Sequence, residues 1–166
     1  MRRCAGRELT TLLLLGLSSC MVYPTLPIYK DSKELIRHRN AGTVSKPWSV
    51  EQWIAYASKS KGVSASLIRK VLWHESRFDQ YALNINRVNG VAVSKDEGIG
   101  QINSLYCPKE VNPYSLSSIV YVASVLKHNL LVFEGNVRLA VTAYNHGITG
   151  TIRDGEDPVY LAKVGI

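Results

Sequence analysis

The chain has 166 residues, 46% hydrophobic and 20% charged, with 20 Lys+Arg against 13 Asp+Glu and a formal net charge of +7. That length suits one compact domain behind a removable leader, and the composition lacks both the apolar depletion and the charge excess of a disordered chain. The basic excess fits nucleic acid, an anionic membrane surface or an acidic polymer. Its basic residues are scattered, however, and no aromatic-plus-basic module accompanies them, which argues against nucleic acid.

Residues 1–19 read as a secretory leader. Arg2, Arg3 and Arg7 precede a short apolar run from Leu9 to Leu17, far below the roughly twenty residues that a membrane span needs. The run ends in Leu17-Ser18-Ser19-Cys20, which resembles the bacterial lipobox and implies a lipid-carrying Cys20 at the mature N-terminus. The alternative is an ordinary cleavage site that Cys20 merely follows. Cysteine usage favours the lipid. Cys4 departs with the leader and Cys20 is acylated, so Cys107 is left alone and cannot form an internal disulfide. Cys107 reads as a small buried hydrophobe, and no His or acidic partner at ligand spacing suggests a metal. The leader also takes three arginines and Glu8 with it, which leaves a smaller basic excess.

Residues 20–47 hold Pro24, Pro27, Gly42 and Pro47 around a charged stretch from Lys30 to Arg39. They read as a tether, in which a short helix over 32–38 fits but no amphipathic period persists. The compact domain is then 48–166. Ser49 and Gln52 have the form of a capping box, and Trp53, Ile54 and Ala57 supply an apolar face, so a first helix is expected over 49–61, stopped by Gly62. Ser64 is placed to cap a second, with Leu67, Ile68, Val71 and Leu72 at helical spacing until Arg77 or Phe78. Residues 79–104 contain Asn84, Asn86, Asn89, Gly90, Gly98 and Gly100 and read as loop or short strand pairs. A third helix over 117–133 carries Ile119, Val122, Ala123, Leu126, Leu130 and Phe133. Asn136 caps a fourth, expected to end at Gly147, and Asp157-Pro158 opens a last one. The expected fold class is mainly α.

Glu75 stands out on the second helix. It lies seven positions from Ile68, four from Val71 and three from Leu72, so a carboxylate is aimed along an apolar stripe. A buried ion pair with Arg77 or His74 would account for it, as would a frayed helix end. A functional carboxyl is the alternative. Partial desolvation raises a carboxyl pKa, which suits a general acid near neutral pH.

Three motifs in order, Glu75-Ser76-x-Phe78, GIGQIN at 98–103 and AYNHG at 143–147, resemble the lytic transglycosylase (SLT) domain of the lysozyme superfamily over roughly 50–150. The Asn-rich stretch running into Gly-x-x-Gln-Ile-Asn-Ser, Asn84 to Ser104, is most similar to the small single-domain transglycosylases of conjugation and secretion systems. The resemblance implies a goose-type, lysozyme-like helical domain with an irregular or hairpin region around 79–104. It also implies that Glu75 is the only catalytic acid/base, that Ser76 and Tyr144 orient it, and that Gln101 and Asn103 line the sugar subsites. Asn145 would hold Tyr144 and the substrate acetamido group. Asn84 stands where relatives commonly carry a serine nine residues after the glutamate and becomes a sugar contact. Gly100 replaces a methionine of many relatives, which changes the subsite shape there. On residue type alone, Gln101 and Asn145 could instead satisfy loop backbone, and Tyr144 could be plain core.

The reaction class turns on a second carboxyl group. A retaining glycosidase needs one about 5 Å from the acid and an inverting one needs it further off. Asp79, Asp96 and Glu97 are available, but all fall in the region read as loop, where capping or solvation suits them better. Without such a group, the substrate's own N-acetyl oxygen can stabilise the cation. The resemblance then implies a non-hydrolytic cleavage of peptidoglycan that yields 1,6-anhydro-N-acetylmuramic acid, with no metal or organic cofactor. A hydrolytic muramidase and a non-catalytic peptidoglycan-binding lipoprotein remain alternatives. The expected partners are glycan strands, the membrane through Cys20 and a secretion or conjugation apparatus, for a monomer that binds no nucleic acid. Met21 after the cysteine favours the periplasmic face of the outer membrane by resemblance to Gram-negative lipoproteins.

Overall fold

The computed structural model describes residues 47–166; the leader, Cys20 and all of the tether but Pro47 lie outside the described residues. Five helices and one small sheet follow in the order α1 Val50–Lys61, α2 Ala65–Ser76, β1 Leu83–Val88, β2 Val91–Glu97, β3 Ile102–Asn103, α3 Ser118–Val132, α4 Val137–Asp154 and α5 Pro158–Val164. The fold is mainly helical with a small antiparallel sheet, as its residue pattern suggests.

Local signals account for most helix ends. Ser49 Oγ accepts from the Gln52 amide while the Gln52 side chain accepts from the Ser49 amide, which completes the capping box on α1. Asn136 accepts from the Leu139 amide at the start of α4, and Asp157 accepts from the Val159 and Tyr160 amides at the start of α5. Ser64 precedes α2 without a side-chain cap bond, contrary to the capping role expected of it. Gly147 interrupts the helix where expected: at φ 72° and ψ 160° it is non-helical and kinks α4, and a further helical stretch follows to Asp154.

One core joins the helices, with Ile54, Ile68, Leu72, Ile119, Val122, Leu126, Val141 and Leu161 among its fully buried side chains. Buried polar groups within it are satisfied: Asn129 Nδ2 donates to the Ala140 carbonyl at 3.1 Å, joining α3 to α4. No helix among the described residues is long and apolar enough to cross a membrane.

The 79–104 region holds an antiparallel sheet of order β1-β2-β3. Asn89 and Gly90, both at positive φ, turn the β1–β2 hairpin between the paired Val88 and Val91. Asp96 and Glu97 therefore belong to a strand rather than to a loop. Register gives the sheet two unlike faces, because directly paired residues share a side. Asn84 pairs with Asp96 and Asp96 with Asn103, while Asn86 pairs with Ser94, so one face is a polar row. Leu83, Ile85, Lys95 and Glu97 form the other.

Candidate functional site

A cleft of about 920 Å³ runs between the polar face of the sheet and the helices. His74 and Glu75 come from α2, Asn84, Asn86, Asp96, Ile102 and Asn103 from the sheet, Gln101 from the segment before β3, and Tyr121 and Val125 from α3. Tyr144, Asn145, His146, Gly147 and Thr149 complete it around the kink of α4. Six of the site residues named from the sequence, Glu75, Asn84, Gln101, Asn103, Tyr144 and Asn145, are thus brought to one place.

Glu75 occupies the next-to-last position of α2. Arg77 and Phe78 follow at φ 57° and 66°, so the chain leaves the helix at once and the carboxyl stands at its edge. Two consecutive left-handed non-glycine residues are strained, and such strain tends to gather at functional sites. Neither ion-pair partner considered for Glu75 is used: the Arg77 guanidinium lies 4.8 Å from the centroid of the Trp73 ring, and His74 packs edge-on against Tyr160 at 5.0 Å. Glu75 instead meets a hydroxyl. Tyr160 of α5, 5% exposed, donates to Glu75 Oε1 at 2.5 Å. Burial pushes the Glu75 carboxyl above the usual carboxylate range; the Tyr160 bond pulls it back, and the Asp96 charge adds to the rise. Tyr160 is itself pushed far upward by burial and by Glu75, so it stays a donor.

Tyr144 is engaged differently from the expected orientation of Glu75. Its hydroxyl donates to the Gly100 carbonyl at 2.7 Å, which locks α4 to the segment carrying Gln101. Burial first, then the neighbouring Glu75 charge, keeps that phenol protonated. Ser76, unlike Tyr144, does not line the cleft. Its Oγ donates to the Ile99 carbonyl at 2.8 Å and lies 3.4 Å from the Leu72 carbonyl, so it ties the end of α2 to the same segment.

That segment is shaped by close approach. A Cβ on Gly98 would stand 1.8 Å from the Pro113 carbonyl oxygen, and its φ of +71° is one that side chains rarely adopt. A Cβ on Gly100 would stand 2.4 Å from Val122 Cγ2 and 3.2 Å from the Tyr144 hydroxyl oxygen. The lack of a side chain at Gly100 is what lets α3 and Tyr144 close on this segment. Gln101, also at positive φ, lines the cleft and donates from Nε2 to the Gly98 carbonyl at 3.0 Å, so it braces its own loop as well.

Across the cleft, the Asp96 carboxyl receives three amides. Asn86 and Asn84 donate to Oδ2 at 2.8 and 3.2 Å, and Asn103 donates to Oδ1 at 2.8 Å. Asn86 and Asn103 also donate to Ser94 Oγ, at 3.0 and 3.1 Å. Of the other carboxyls considered, Asp79 caps a turn through the Tyr81 amide and Glu97 accepts from the Tyr114 hydroxyl, so neither serves the cleft. Cys107, half-buried with its thiol pushed up by burial, lies 3.6 Å from the Pro108 and Val111 carbonyls. No group of three or more His, Cys, Asp or Glu residues suited to a metal occurs among the described residues.

The sequence does not single out Tyr160 or Asn86, and it offers Asp96 only as a candidate second carboxyl in a loop. Tyr160 shares the buried face of α5 with Leu161 and Val164, and a buried tyrosine calls for a hydroxyl partner, which was its only signal. Asp96 and Asn86 were announced by alternation, Asn84 and Asn86 between Leu83, Ile85 and Arg87.

No curated protein and no solved structure matches the chain. The model of the transglycosylase SLT domain family matches residues 52–159, a span that takes in Glu75, the sheet, the kink of α4 and nearly all of the cleft wall. With a half-buried carboxyl facing a cleft lined by amides and hydroxyls, the chain belongs to the transglycosylase SLT domain family, lytic transglycosylases that act on peptidoglycan.

Proposed function

We propose that this protein cleaves the β-1,4 bond between N-acetylmuramic acid and N-acetylglucosamine without water and leaves 1,6-anhydro-N-acetylmuramic acid ends. The observation that carries the proposal is the Glu75 carboxyl, held above its ordinary pKa by burial within a polar cleft. Glu75 gives its proton to the departing glycosidic oxygen as the bond to the anomeric carbon breaks. The substrate's N-acetyl oxygen takes up the positive charge at that carbon. The muramic 6-hydroxyl then bonds to the carbon, its proton returns to Glu75, and no atom is gained or lost. Tyr160 stabilises the carboxylate that exists between the two transfers. Asn84, Gln101, Asn103 and Asn145 present amides at fixed positions for hydroxyl and acetamido groups.

A specific observation favours a second reading. Asp96 lines the same cleft as Glu75, and a second carboxyl could activate water in a hydrolytic muramidase. Mass spectrometry of the soluble products from purified sacculi separates the two: anhydro ends carry one water fewer than hydrolytic ends. Anhydro products that vanish with Glu75→Gln support the lyase. Products bearing the added water refute it, and binding to sacculi without soluble release would mean a non-catalytic wall-binding protein.

The setting belongs to the same proposal. Residues 1–19 act as a lipoprotein signal, Cys20 carries the lipid, and residues 20–47 tether the catalytic domain to the outer membrane on its periplasmic face. A monomer so placed would open glycan strands for a secretion or conjugation apparatus, the subgroup suggested by the Asn84 to Ser104 stretch.

A further inference from the structure

Tyr160 can serve Glu75 only if α5 is held in place, and His146 of the cleft wall takes part in that hold through Asp157. Asp157 anchors the start of α5 in three directions. Its Oδ1 accepts the Val159 and Tyr160 amides at 2.9 and 3.0 Å, its own amide donates to Thr142 Oγ1 at 3.2 Å, and its Oδ2 meets His146 Nε2 at 3.1 Å. His146 itself lies on the cleft wall, one residue before the kink at Gly147.

The chain of contacts is therefore continuous from cleft wall to acid: His146 to Asp157, Asp157 to the Tyr160 backbone, and the Tyr160 hydroxyl to Glu75 Oε1. We propose that His146 and Asp157 are positioning residues that hold Tyr160 on Glu75, and that their pairing ties the kinked wall of α4 to the acid. This inference rests on Glu75 being the acid of the reaction. The bond it protects is short and falls between two helices, α2 and α5, so a small drift of the first turn of α5 lengthens it. Three elements besides α2 set the charge around Glu75: Asp96 of β2, Tyr144 of α4 and Tyr160 of α5. Lys163 of α5 faces both Asp157 and His74, while Asp154 of α4 and Asp157 face His146.

Asp157→Asn in the full chain is the diagnostic variant. Asparagine remains a good helix cap, so α5 should still form, while the acceptor for His146 is lost. Removing a negative charge near Glu75 would by itself lower the pKa of that carboxyl. Loosening the Tyr160 bond would raise it. The expected result is a rise, read by carbon NMR titration of the Glu75 carboxyl, together with a turnover loss on the order of 10-fold on sacculi. His146→Ala should match it, His146→Gln should recover most of the loss by replacing the Nε2 donor, and the double variant should be no worse than either single one. A fall or no change in the Glu75 titration with Asp157→Asn, or additive losses in the double variant, overturns the proposal. Because the titration reads Glu75 directly, the outcome stands apart from Glu75→Gln, whose retained activity would overturn the acid assignment alone.

Discussion

Tyr160→Phe removes one hydrogen bond and leaves the ring's packing with Leu161, Val164 and His74 in place. The bond is a 2.5 Å contact onto a carboxyl oxygen, in the range of charge-assisted O–H···O bonds. Hydrogen bonds to charged groups contribute about 1.5–3 kcal/mol. In the proposed mechanism Glu75 enters each cycle protonated and becomes a carboxylate as the glycosidic bond breaks, so the Tyr160 bond strengthens along the reaction and favours the transition state over the ground state. If that whole contribution is differential, kcat/KM falls roughly 10- to 150-fold, at about 1.4 kcal/mol per factor of ten. The pH profile must move as well. Tyr160 lowers the Glu75 pKa against the rise caused by burial, so its removal lets that pKa climb and carries the alkaline limb of kcat/KM to higher pH. Release of soluble muropeptides from purified sacculi, followed across pH on wild type and variant, measures both. An unchanged limb with near-normal turnover would falsify the view that Tyr160 acts on the acid, whatever the melting temperature does.

Glu75→Gln should reduce turnover at least ~10²-fold and also stabilise the protein at neutral pH. The folded pKa of Glu75 is raised above its ordinary 4.5, so the wild-type stability present below that value is lost as pH rises through the raised pKa; the gain in melting temperature should therefore vanish in acid, and a gain independent of pH would contradict the linkage. Gly100→Ala places a Cβ 2.4 Å from Val122 Cγ2, and denaturant unfolding should show a loss of about 1–3 kcal/mol, whereas an unaffected midpoint would mean that α3 yields freely. Cys20→Ala should leave membrane fractions for the soluble fraction after a high-salt wash, and a variant that still pellets would refute the lipid anchor.

The helices were legible because their signals are local. The Ser49/Gln52 box, the Asn136 cap and the Asp157-Pro158 start each depend on residues within a single turn, and each forms as its sequence suggests. Glu75 was legible for a related reason, since one period of α2 suffices to place it beside Val71 and Leu72. The hairpin was read only as loop or short strand pairs, because Asn84, Asn86 and Asn89 carry strong turn preferences that mask a two-residue alternation. Gly147 was legible as well: a glycine after AYNH looks like a helix stop, and the helix is interrupted there before a further helical stretch to Asp154. The Glu75 partner was out of reach for periodicity, since Tyr160 is 85 residues away and meets Glu75 through the docking of α5 on α2.

The pKa of Glu75 is set by a balance whose parts come from separate elements. Burial on the stripe of α2 raises it, Asp96 on β2 raises it further, and Tyr160 on α5 opposes both. A general acid needs that opposition. Desolvation alone favours the neutral carboxyl but makes it a reluctant proton donor, whereas a donor hydroxyl waiting beside it lowers the cost of the carboxylate that proton transfer creates. Across the cleft, three amide donors hold the Asp96 carboxyl in the row from Asn84 to Asn103. Two carboxyls can therefore share one cleft with different partners: hydroxyl for Glu75 and amides for Asp96. The sheet, which adds little to the buried core, carries Asp96 and its amides on the wall of the cleft that Glu75 also lines.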